Sequence, residues 1–194
     1  MKTENKLATY VINLKRSTDR MESMDKALGE MSIQYERIEA VDAKTLSTEF
    51  LERNATPSAE YPYKLKDGEI ACFASHLKCW QTFLKSDAEW ALIFEDHCVF
   101  SSRAACFLSS PDWIPSACEL VQLIYSKNAS FYDEKLEVID GNGVVRLSCS
   151  SPIVASAYLI SRNAAEKAVM LAGKFKSPVD NYFVNFQKSG NSTP

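Results

Sequence analysis

The sequence predicts an α/β fold, a mixed but mainly parallel sheet in a single domain with helices on both faces. Three observations predict it. The run Trp90-Ala-Leu-Ile-Phe94 is apolar throughout and too short for an ordinary helix, which suits a strand buried on both faces in the middle of a parallel sheet. The chain opens with strand, helix and strand, the order of a right-handed parallel crossover. At 194 residues it fits one domain and can bury a substantial core.

Ala8 to Leu14 reads as a buried first strand. Ser17 or Thr18 then caps a helix running to about Met31, with Met21, Met24, Leu28 and Met31 as its apolar stripe. Ile33 to Ala40 is a second strand, alternating at Ile33, Tyr35 and Arg37. Residues 43–66 form a surface loop with a short helix near Ser47 to Arg53, broken by Thr56-Pro57 and Tyr61-Pro62. Asp67-Gly68-Glu69 opens a long helix to about Lys85, with a core face at Ile70, Phe73, Leu77, Trp80 and Leu84. Beside that face runs a second stripe, Cys72, His76, Cys79 and Phe83. Its Cys-x-x-x-His-x-x-Cys spacing lacks a third and fourth metal ligand, so His76 reads instead as facing a cleft or as a hydrogen-bonded interior residue.

After the 90–94 strand come a short helix near Ser102 to Leu108 and a strand from Glu119 to Tyr125. Gly141-Asn142-Gly143 signals a hairpin between Lys135–Asp140 and Val144–Ser148. Ile153 to Ile160 is a strand, Ser161 caps a helix from Asn163 to about Leu171, and Pro178 starts a last helix with Tyr182, Phe183 and Phe186 as its apolar positions. Neither a repeat nor a Gly-rich phosphate loop is present, which argues against Rossmann dinucleotide and Walker nucleotide sites.

Composition narrows the function classes. Hydrophobic residues make up 46% and charged residues 24%, and the net charge of −3 gives no general basic field for nucleic acid. The polar start of the chain and the lack of an apolar stretch of ~18 residues predict a cytoplasmic protein whose membrane association, where it occurs, is peripheral. The six cysteines form no C-x-x-C pair and read as reduced, mostly buried thiols.

The chemistry concentrates at strand ends. Glu95, Asp96 and His97 follow the central strand at the carboxyl edge, where open α/β sheets bind ligands, and their oxygen and nitrogen donors can hold a divalent cation. Arg16 and Arg20 flank the first strand-to-helix turn, where guanidinium groups and a helix N-terminus can face an anion. Asp42 ends the second strand and can accept from sugar hydroxyls. By position alone each of these is equally compatible with a solvated turn residue.

Together, Val11-Ile-Asn-Leu-Lys-Arg-Ser-Thr-Asp-Arg20, Ile38-Glu-Ala-Val-Asp42, Gly68-Glu-Ile-Ala-Cys-Phe-Ala-Ser-His76 and Ala91-Leu-Ile-Phe-Glu-Asp96 resemble, in this order and spacing, glycosyltransferase family 25. Tyr158-Leu-Ile-Ser161 and Pro178-Val-Asp180 look like its later landmarks. The resemblance implies a GT-A-like fold, a UDP-sugar donor, a divalent metal (usually manganese) and inverting transfer of galactose or glucose to a lipooligosaccharide or lipopolysaccharide acceptor. It assigns Asn13, Arg16, Arg20, Asp42, Ser75 and His76 to the nucleotide sugar, Glu95, Asp96 and His97 to the metal, and Asp180 to the catalytic base.

Two departures stand out. His97 occupies the place of the family's second aspartate, and the chain ends soon after the Pro-Val-Asp landmark. Both are compatible with a second reading, a family member that binds nucleotide sugar without turnover. A third is a structural partner in a glycosylation complex.

Overall fold

The computed structural model describes residues 6–55, 57, 61–116, 118–123, 154–172 and 177–183, and the backbone alone of 132–139 and 142–147. The strands are β1 (Leu7–Asn13), β2 (Glu36–Glu39), β3 (Trp90–Glu95), β4 (Leu120–Gln122), β5 (Tyr132–Ile139), β6 (Asn142–Leu147) and β7 (Ala157–Ser161). The helices are α1 (Thr18–Glu30), α2 (Thr48–Asn54), α3 (Asp67–Phe83), α4 (Ala105–Leu108) and α5 (Arg162–Leu171), with a 3₁₀ turn at Ala43–Thr45. Residues 179–183 are also helical, directly after Pro178.

The main sheet has the order β2-β1-β3-β7-β4. β1 pairs in parallel with β2 and β3, whereas β7 runs antiparallel to β3 and β4. Four strands therefore share one direction and β7 opposes them, a mixed and mostly parallel sheet. β5 and β6 form a separate antiparallel pair in the expected region, but Asn142 and Gly143, expected in the turn, belong to β6 and pair with Ile139 and Val138.

Strand alternation sends side chains to two cores, one per face. Tyr10, Ile12, Ala91, Ile93, Tyr158 and Ile160 pack with α3 and α5 on one face. Val11, Leu92, Phe94, Ala157 and Leu159 pack with Met21, Met24 and Leu28 of α1 and Leu108 of α4 on the other. Helices thus cover both faces, as the unbroken apolar run of β3 requires. Arg162 ties the first layer together. Its guanidinium donates to the carbonyls of Leu84, Ser86 and Ala88 and lies 5.2 Å from the Phe83 ring centroid, closing the C-terminal end of α3.

Several expectations are corrected. β2 is four residues long, and its buried side chain is Ile38, not the series Ile33, Tyr35 and Arg37. Parallel pairing with β1 begins only at Glu36, after the turn that follows α1. Ser17 occupies the cap position of α1 without a side-chain cap bond. Of Cys72, Cys79, Cys98, Cys106 and Cys118, all free thiols, Cys79 alone is fully buried, because the others lie at cleft, loop or surface positions. Residues 124–131, Gly141, Cys149, Phe186 and the chain end lie outside the described residues.

Candidate functional site

Sheet order locates the site. From β1 the chain moves outward to β2 over the face that carries α1. It returns through α3 on the opposite face to β3, on the other side of β1. The carboxyl ends of β1 and β3 therefore diverge at a topological switch point, where a crevice forms. Register levels the strand ends there. Asp96 N donates to Ile12 O at 3.1 Å, Ala40 N to Asn13 O at 2.9 Å and Glu95 N to Ser156 O at 2.8 Å.

A cleft of about 260 Å³ opens at this edge. Arg16, Arg20, Asp42, Ser75, His76, Glu95, Asp96 and His97 all contribute to its wall. Four segments far apart in sequence thus meet in one place.

Asn13 lies beneath the cleft rather than in its lining, at 1% exposure. Its amide nitrogen donates to Asp96 Oδ2 at 2.7 Å and Ser17 O at 2.9 Å, and its oxygen accepts from Arg37 at 2.5 Å. All its hydrogen-bonding capacity toward these neighbours is used, so it orients Asp96 and the turn into α1. Asp96 is 8% exposed and also accepts from Arg20 Nη1 at 3.1 Å. Arg16 pairs with Asp42, which also accepts from Lys44 N at 3.0 Å and caps the 3₁₀ turn. A guanidinium carries five donors, so both arginines keep N–H groups for an incoming anion. They stand beside the N-terminus of α1, whose amides Ser17 leaves without a side-chain cap.

Ser75 lines the cleft, but its hydroxyl is committed. It donates to Ala71 O at 2.7 Å and accepts from Val41 N at 2.8 Å, tying the Asp42 loop to α3. His76 is fully buried. Its Nδ1 lies 2.8 Å from the Tyr158 hydroxyl and its Nε2 3.1 Å from Glu95 Oε1. Trp80 Nε1–H donates to the same hydroxyl at 2.8 Å, so the Tyr158 proton is free to go to His76 Nδ1. Hydrogen bonds then run one way, from Trp80 to Tyr158 to His76 to Glu95, with the imidazole proton on Nε2.

Burial by itself pushes the Glu95 carboxyl up. Its contact with His76, above all the hydrogen bond from Nε2–H, the charge of His97 and a bond from the Cys72 thiol outweigh it and bring the group down to about 2. Glu95 is thus a fixed anion. Its Oε2 lies 3.4 Å from both His97 Nδ1 and Ser156 Oγ. Asp180, outside the cleft lining, accepts from Ala155 N at 2.8 Å. Burial raises its carboxyl, and the charge of Glu95 adds to that rise.

Glu95 and His97 bring a carboxylate and an imidazole together at the cleft, a pair that fits a divalent cation, whereas Asp96 points one oxygen at Asn13 and the other at Arg20 and does not cluster with them. Two guanidinium groups in the lining face the three carboxylates of Asp42, Glu95 and Asp96. A diphosphate entering so acidic a wall needs further positive charge.

Tyr158, Trp80, Arg37 and Ser156 hold this site together, and sequence reasoning gave none of them that role. Trp80 carried the signal of a core residue and Arg37 that of an alternating strand position; nothing local linked any of them to Asn13, His76 or Glu95. Among the described residues no helix is long and apolar enough to cross a membrane.

Residues 6–183 match the family described as glycosyltransferase family 25 (LPS biosynthesis protein). The chain is 28% identical over 164 residues to the lipooligosaccharide biosynthesis protein lic2B of Haemophilus influenzae, covering 81% of this chain and 60% of that protein. Over 100 residues it is 37% identical to human procollagen galactosyltransferase 2, covering 48% of this chain and 16% of that one. Also over 100 residues, it is 32% identical to the mouse inactive glycosyltransferase 25 family member 3, covering 48% of this chain and 17% of that protein. The chain therefore spans three fifths of the bacterial relative and about a sixth of the animal ones.

Proposed function

The chain belongs to glycosyltransferase family 25, and from that premise we propose that it transfers galactose or glucose from a UDP-sugar, with a divalent cation and inversion, to a lipooligosaccharide or lipopolysaccharide acceptor. One observation carries the reading. Arg16 and Arg20 share a single cleft with Glu95, Asp96 and His97, at the edge where an α/β sheet binds ligands.

Each residue type has a task in such a transfer. Arg16, Arg20 and the α1 N-terminus bind the diphosphate. Asn13 holds Asp96, Ser75 holds the Asp42 loop, and Asp42 accepts from the ribose. Glu95 and His97 would hold the cation. When bound, the cation neutralises charge building on the departing UDP, as a Lewis acid. Manganese suits a carboxylate and an imidazole, and the imidazole also admits later transition metals. His76, locked by Tyr158, keeps Glu95 ionised and oriented. Asp180 is the base that accepts the proton of the attacking acceptor hydroxyl, and its raised carboxyl brings it closer to the operating pH. A glycolipid acceptor would bring the protein to the cytoplasmic face of a membrane peripherally.

Calorimetric titration of UDP, UDP-galactose and UDP-glucose, with and without manganese, tests the reading. Metal-dependent binding is expected. A folded sample that binds none of the three would overturn it. A second reading, nucleotide-sugar binding without turnover, draws on His97 and on the likeness to an inactive animal relative. Binding without transfer to any oligosaccharide acceptor would favour it.

A further inference from the structure

A second cluster of donors lies on the α3 side of Glu95. Cys72 and His76 are one helical turn apart on α3, and both face Glu95 of β3. Cys72 Sγ lies 3.4 Å from Glu95 Oε1, His76 Nε2 lies 3.1 Å from the same oxygen, and the three donor atoms all fall within 4.8 Å of one another. Donors around one tetrahedral ion, with metal–sulfur distances of about 2.3 Å and metal–nitrogen or metal–oxygen distances of about 2.0–2.2 Å, stand at similar separations.

We propose that Cys72, His76 and Glu95 form a binding site for a thiophilic divalent ion of the zinc class, distinct from the cation position between Glu95 and His97. The donor set is one thiol, one imidazole and one carboxylate, a combination that selects zinc or cobalt over magnesium or manganese. All three residues line the cleft, so an ion can enter from it, and the cleft side leaves a fourth position for water. The outer partners are present as well. Tyr158 meets the far nitrogen of His76, and Ser156 Oγ lies 3.4 Å from the other oxygen of Glu95. Cys79 takes no part, because it is buried in the core layer behind the cleft.

Binding is a proton-releasing exchange. The Cys72 thiol gives its proton to solvent and bonds the ion as thiolate. The neutral imidazole bonds the ion through Nε2 and carries its proton on Nδ1, which then donates to the Tyr158 oxygen, so the phenol proton must turn away from Nδ1. Glu95 Oε1 exchanges the His76 bond for the ion. Because Glu95 serves both positions, an ion here opposes cation binding at Glu95 and His97 and acts as an inhibitor. That consequence rests on the function proposed above; the site itself does not.

Zinc-edge X-ray absorption of the wild-type chain with one equivalent of zinc and no nucleotide reads the neighbours of the ion directly. One sulfur among nitrogen and oxygen ligands is expected. A shell of nitrogen and oxygen alone, or two or more sulfurs, would overturn the proposal, the latter by assigning the ion to other cysteines. Cobalt titration is the companion measurement. It should give a thiolate-to-cobalt charge-transfer band that His97→Ala retains and Cys72→Ser abolishes. A band that survives Cys72→Ser would also overturn it. Neither readout depends on UDP binding, so failure here and failure of the proposed function are separable.

Discussion

His76 stands between Tyr158 and Glu95, with Nδ1 2.8 Å from the phenol oxygen and Nε2 3.1 Å from the carboxylate. This contact joins the middle of α3, the start of β7 and the end of β3. Removing the Tyr158 hydroxyl strands both His76 Nδ1 and the Trp80 N–H in a fully buried place. Tyr158→Phe should therefore cost about 1–3 kcal/mol in urea unfolding. A change under about 0.5 kcal/mol, the size of an ordinary surface substitution, would mean the relay is not formed.

Glu95 predicts a pH window. Its folded value, about 2, lies below its ordinary 4.5. Its stabilising contribution is therefore complete above pH 4.5 and is lost as pH falls toward 2. A drop of this size corresponds to about 3 kcal/mol at neutral pH. The stability gap between wild type and Glu95→Gln should be largest near neutrality and close across that acid window. A gap independent of pH would show that Glu95 is not held as an anion.

Asp180 has the opposite sign. Burial and the Glu95 charge raise its carboxyl above the ordinary value, so ionisation there costs stability, a cost that grows as pH rises through the folded value. Asp180→Asn keeps an oxygen to accept from Ala155 N. Its melting temperature should match or exceed wild type, while transfer falls by about 10²–10⁴ if the residue is the base. Retained transfer removes it from that role.

Arg20 bonds Asp96 and lines the cleft in which the diphosphate is proposed to bind. A hydrogen bond to a charged group contributes about 1.5–3 kcal/mol, so Arg20→Ala should weaken UDP affinity by roughly tenfold to a hundredfold in calorimetry. Unchanged affinity would move the diphosphate elsewhere.

Arg162 provides a control outside the site. It donates to three carbonyls at the end of α3 and stacks near Phe83. Arg162→Ala should cost about 3 kcal/mol or more, and Arg162→Lys should recover little of it because an ammonium lacks the planar fork. UDP affinity of the folded fraction should be unaffected.

The sequence by itself determined the layers and the edge. Hydrophobic period is a local property, so the apolar run of β3, the stripe of α1 and the core face of α3 announce which element each segment forms and which side it buries. Because a short buried strand ends where its apolar run ends, Glu95, Asp96 and His97 were legible as carboxyl-edge residues. The first crossover was legible for the same reason, and so was the existence of the β5–β6 pair. The start of β2 was not, because parallel pairing to β1 and not alternation decided where that strand begins.

Only the tertiary structure decided what each polar group does at that edge. Asn13 and Asp96 are 83 positions apart, and His76 and Tyr158 are 82. Their contact follows from sheet order and register, which no local pattern encodes. Folding turned Asn13 inward, committed the Ser75 hydroxyl to backbone, set Cys72 rather than Cys79 beside His76, and directed the two oxygens of Glu95 to opposite walls. A buried polar side chain must find its partner among whatever the packing brings near, so its role is fixed last, by the neighbours that arrive from elsewhere in the chain.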